Sequence, residues 1–172
     1  MSGWITLILG PAVITYILTV VMKHVESHRR KIHLAKAITA EIDRNWRALE
    51  RFIPVFEAEA PSRLSSGFFI PIDKGSAQIF ELVKDELLEF PDDLVSALAA
   101  YYSTDRCINE LLEAISSKEF PSYDAARKQT MLDGTIATLK QGLSQGRDSL
   151  QLLAQRIAHW QKLESYVKFW EN

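Results

Sequence analysis

LDGTIATLKQGLSQGRDSLQLLAQRIAHWQKLESYV, residues 132–167, decides the fold class. Leu132, Ile136, Leu139, Leu143, Gly146, Leu150, Leu153, Ile157, Trp160, Glu164 and Val167 recur at alternating steps of four and three. That is the heptad-type spacing of a helix with one continuous seam, and a strand pattern cannot produce it. The reading predicts a helix from about Tyr123 to Val167, of about 65–70 Å at 1.5 Å per residue. The seam is a candidate self-association surface as well as a candidate core.

Working outward, helical patterns precede it. FPDD, residues 90–93, reads as a helix start, with acidic groups at the positive end of the helix dipole. The helix over about 92–116 puts Leu94, Leu98, Tyr101, Ile108, Leu112 and Ile115 on one side, with Asp105 in the same seam. Such a carboxylate usually pairs with a neighbouring helix. A shorter helix covers about Ser76–Phe90, with Ile79, Phe80, Val83 and Leu87 inward. Residues 54–75 contain prolines, glycines and serines without periodicity and read as a long connection. Within it, Phe68, Phe69, Ile70 and Ile72 form an apolar cluster, a candidate partner-docking surface.

Before the connection, Ile38, Ile42, Trp46, Leu49 and Ile53 form an amphipathic stripe that Pro54 is expected to end. Glu41 and Asn45 flank the stripe one turn apart, as polar residues that fix helix register do. With neither glycine nor proline from Lys23 to Ala35, the simplest expectation is one helix from about Trp4 to Ile53.

The first part of that helix is of a different character. From Gly3 to Met22 no side chain is charged, and ten residues are Leu, Ile or Val. Twenty residues reach about 30 Å, the thickness of a bilayer's hydrocarbon core. There is no Lys or Arg ahead of the run and no small-residue cleavage site behind it, so it reads as a retained span rather than a signal peptide. Lys23, Arg29, Arg30, Lys31 and Lys36 follow it, which by the positive-inside rule places the C-terminal side in the cytoplasm and the N-terminus outside the inner membrane. Trp4, Lys23, Arg29, Arg30 and Lys31 are then the interface residues. Trp170 joins them if the helices alternate in direction and the last one returns to the membrane.

The expected organisation is a transmembrane anchor at 1–22, a basic juxtamembrane segment at 23–36 and a cytoplasmic helical bundle at 37–172. The fold class is all-α: an N-terminal transmembrane helix continuing into a bundle of about four helices, the last one long. The net charge of −2 divides into +4 over residues 23–36 and −6 over 37–172, and an acidic body does not suit nucleic acid. The single cysteine, Cys107, excludes an internal disulfide. His24 and His28 lie four apart, but two histidines without a third ligand make a weak metal site, and no metal or cofactor is expected. Nucleotide-binding, zinc-hydrolase and serine-hydrolase motifs are missing, so neither catalytic residues nor a small-molecule substrate are expected.

The uncharged anchor, HRRK, AEIDRNW and FPDDLVSALAAYYSTDRCINELL together resemble uncharacterised bacterial single-span membrane proteins with a cytoplasmic helical domain. The resemblance implies a bacterial origin and brings no activity or functional residue with it. The function expected is that of a non-catalytic protein-interaction or assembly subunit, partnered by the bilayer and by another protein or its own copies. The alternative is a membrane-acting effector whose oligomerisation perturbs the bilayer.

Overall fold

A computed structural model describes residues 3–60 and 77–171; for 3–15, 17, 18, 21 and 166–171 it describes the backbone only. The described residues are helical, without strands: α1 (Gly3–Glu59), α2 (Gln78–Val83) continued by a 3₁₀ turn (Lys84–Glu89), α3 (Asp92–Ile115), a short 3₁₀ turn (Phe120–Ser122) and α4 (Ala125–Glu171). The all-α bundle with a long last helix is as expected.

Directions follow from side-chain pairs. His28 meets Trp160, Trp46 meets Leu143, and Glu57 meets Lys140, so α1 and α4 are antiparallel. The 78–89 segment runs back along α1, from Glu41 at Ile79 to Ser27 at Glu89. At Phe90–Pro91 the chain reverses again, and α3 ascends parallel to α1. The directions therefore alternate away, back, away, back, with a true hairpin at FPDD, a turn that the sequence left open. Asp93 accepts a hydrogen bond from the Leu94 N–H at 2.9 Å in the first turn of α3. Asp124 caps α4 through the Arg127 N–H at 2.8 Å, satisfying a donor that a helix start leaves open.

Pro54 does not end α1, which continues to Glu59. The ring is on the exposed side, while Ile53, Phe56 and Ala60 are buried at steps of three and four. Packing of Phe56 against the far core, and its ring stacked on Phe52 with centroids 5.3 Å apart, outweighs the lost backbone bond.

The seam of α4 also differs in detail. Leu132, Leu139, Leu153 and Trp160 are buried as expected. Their companions at the bottom of the seam are Thr135, Gly142 and Ser149, whereas Ile136, Leu143, Leu150 and Ile157 flank it half-buried. The reason is that α4 fills the groove between α1 and α3 and needs small residues where it approaches both. A Cβ at Gly146 would sit 3.0 Å from Trp46 Cδ1 and 3.1 Å from Tyr101 Cε2; one at Gly142 would sit 2.6 Å from Ile108 Cδ1. From Leu132 to Trp160 this face is thus spent within the chain, which removes the seam as a self-association surface.

Candidate functional site: a buried carboxylate joint and a basic collar

Two clusters of buried apolar residues share the bundle, one at the near end around Ile38, Ile42 and Tyr102 and one at the far end around Ile53, Ile115 and Leu139. Within the near cluster, between Ile38 and Ile42 on α1, is Glu41, only 3% exposed. Stranding an ionised carboxylate in such a place is costly unless donors surround it. Three do. The Tyr102 hydroxyl donates to Oε1 at 2.6 Å, the Ile79 N–H to Oε2 at 2.6 Å, and the Phe80 N–H to Oε1 at 3.4 Å. α2 has no side-chain cap of its own, so a carboxylate from α1 caps it from outside, at the end where a helix favours negative charge. The Phe80 ring lies on Tyr102, with centroids 3.9 Å apart.

Burial first, and then the Glu41 carboxylate, push the Tyr102 hydroxyl far above its ordinary range. Burial and the Asp105 carboxylate do the same to Tyr101, while the Asn45 amide opposes them. The Tyr101 hydroxyl is buried without a well-formed hydrogen bond. Asp105 itself is buried, one turn further along α3. With both phenols held protonated and the Glu41 oxygens aimed at donors of its own chain, the arrangement works as a joint binding α1, α2 and α3. Register fixing is what the position of Glu41 beside the stripe suggested.

The second constellation is the collar. Arg29 pairs with Glu164 at 3.0 Å, Arg30 holds Glu86 through two nitrogens at 2.6 and 2.9 Å, and Lys31 lies 3.7 Å from Glu89. Ser27 donates to Glu89 at 3.1 Å, and Arg156 of α4 pairs with Asp93 of α3. That pair holds the Asp93 carboxyl below the usual range. His28 Nε2 is 3.2 Å from the Trp160 carbonyl, which makes it a strut between α1 and α4. The basic groups expected at a lipid surface thus also face carboxylates of the bundle, and Ile32 and Ala35, within the segment read as juxtamembrane, are buried core residues.

Lys23 is exposed. The side chains of Trp4 and Trp170, and the whole of Phe68, Phe69, Ile70 and Ile72, lie outside the described residues. Among the described residues no helix is long and apolar enough to cross a membrane; the stretch read as a span falls mostly where only the backbone is described. Among the described residues, too, no three His, Cys, Asp or Glu side chains converge as metal ligands would.

Glu86, Glu89 and Tyr102 were not singled out in the sequence, and Glu164 was named only as a position of the α4 seam. The available signal was electrostatic: a collar of +4 beside a body of −6 calls for partners within the chain. No model of a protein family, no curated protein and no solved structure matches this chain.

Proposed function

We propose that this chain is a single-pass, non-catalytic assembly subunit, anchored in the inner membrane by residues 1–22, with the bundle in the cytoplasm presenting a surface to a protein partner or to further copies. One observation carries the reading: α1 runs unbroken from Gly3 into the bundle, and Tyr16, Val20 and Met22, large apolar side chains described ahead of the bundle, are exposed. Tyr16 is 71% and Met22 69% exposed, in a helix whose residues 3–22 include no charge. An uncharged helical stretch of that length is at rest in hydrocarbon, and exposed apolar side chains such as these are unfavourable in water. Charge placement supports the orientation, since the first basic groups all follow the apolar run.

The test is extraction in a mild detergent with mass measurement of the intact assembly. The reading expects a mass above that of one 19.6 kDa chain, from a partner or from copies. Substituting Phe69→Ser with Ile70→Ser should then shed the partner while the helical signal persists. A single chain that brings down nothing under the gentlest extraction contradicts the assembly role. Cys107, the only cysteine and an exposed one, reports orientation. A membrane-impermeant maleimide should label it only after cells are broken, and labelling of intact cells would invert the topology.

A further inference from the structure

Residues 78–90 are fastened to the bundle unlike any other element. α2 buries none of its side chains, and in the 3₁₀ turn after it only Leu87 is buried. Leu82 and Leu88 point outward, at 82% and 86% exposure. The helix yields after six residues to a further six in 3₁₀ geometry, beyond the three or four that this poorer hydrogen bonding usually sustains. Its apolar hold is limited to Leu87 and Phe90, which are buried, with Ile79, Phe80 and Val83 half-buried beside them. Polar contacts supplement it at both ends: the Glu41 carboxylate at its start, Arg30 on Glu86, and Lys31 with Ser27 on Glu89 near its end. By contrast α1, α3 and α4 contribute to both apolar clusters. Segments with few buried apolar contacts and exposed fasteners open at lower free energy than the frame beneath them.

We infer that residues 78–90 form a latch, opening as a unit while α1, α3 and α4 remain packed, and that charge at its far end helps to keep it shut. Opening uncovers the Tyr102 ring and the Glu41 carboxylate, which the latch now covers with Phe80 and two backbone N–H groups. The exposed ion pairs are the part that ionic strength weakens; the buried Glu41 contacts are screened far less. Salt therefore loosens the far end of the latch first. The device is independent of membrane anchoring, since every contact in it lies within the bundle.

Hydrogen exchange of the full-length chain in neutral detergent, read segment by segment, tests it. Amides of 79–90 should exchange at least about tenfold faster than those of residues 98–112 and 139–153, and about severalfold faster again when sodium chloride is raised, with the frame unchanged. Glu86→Arg should mimic high salt at low salt, and adding Arg30→Glu should restore slow exchange. One common rate for latch and frame, or a latch indifferent both to salt and to Glu86→Arg, overturns the inference.

Discussion

Among the described residues, three helices meet beyond Gly142 around Ile53, Phe56, Ile115, Phe120, Leu132 and Leu139, and on the other side of Gly146 four segments meet around Glu41, Tyr101 and Tyr102. The far end is apolar and closed by Phe120, which is wholly buried between α3 and α4. The near end mixes apolar contacts with directional ones: a buried carboxylate, two phenols and a ring of ion pairs. Burial without direction gives stability that depends little on salt or pH. A joint made of hydrogen bonds and charges gives register, and its strength depends on conditions. The difference teaches that α1, α3 and α4 form a frame and that the fourth segment is an attachment to one end of it.

The largest effect should come from the far end. Leu139→Ala removes a fully buried side chain between three helices and should cost about 3 kcal/mol of unfolding free energy, read by denaturant melts followed by circular dichroism. Loss of protection should extend to all three long helices, because they share that core. Glu41→Gln should cost about 2 kcal/mol, since its amide nitrogen would face donors that now meet carboxylate oxygens. Its signature in hydrogen exchange should be confined to residues 78–90. If both variants destabilised the whole bundle alike, the distinction between frame and attachment would fail.

A smaller and sharper effect is alkaline. Tyr102 is held protonated in the fold, whereas in the unfolded chain it ionises near its ordinary pKa of 10.0. A raised folded pKa means stability that is complete below about pH 10 and is lost as the pH climbs above it. Phenolate absorbance from Tyr101 and Tyr102 should therefore appear only with unfolding. Tyr102→Phe should cost about 1 kcal/mol at neutral pH through the lost bond to Glu41 and should flatten the alkaline decline. Tyrosine titration that is complete while the helices persist would contradict the burial of both rings.

How much of this the sequence disclosed depended on the kind of interaction. Four-three spacing exposed α4, and FPDD gave the start of α3, because those signals are local; the reversal before α3 was a supposition that the structure decided. The end of α1 was misjudged, since the cost of Pro54 is local but the compensation from Phe56 and Ala60 comes from helices far along the chain. Part of the floor of the α4 seam was missed for a related reason: Thr135 and Ser149 do not look like core residues until two helices are known to approach there. Glu41 was visible as a polar residue beside an apolar stripe. Its partners, Tyr102 and two backbone groups, were not, for no spacing rule links residues 38 to 61 positions apart. Basic residues 29–31 were legible as charge but not as ion pairs.

The central claim is that α1 passes without interruption from lipid into this frame, and reactivity along α1 tests it most directly. In a Cys107→Ser background, Val20→Cys places a thiol where the helix is half exposed and no other part of the bundle covers it. In proteoliposomes open to a polar maleimide on both faces, that thiol should stay unreacted until detergent is added, while Cys107 in the parent chain reacts at once. Equal labelling of the two positions before detergent would place residue 20 in water and contradict the account.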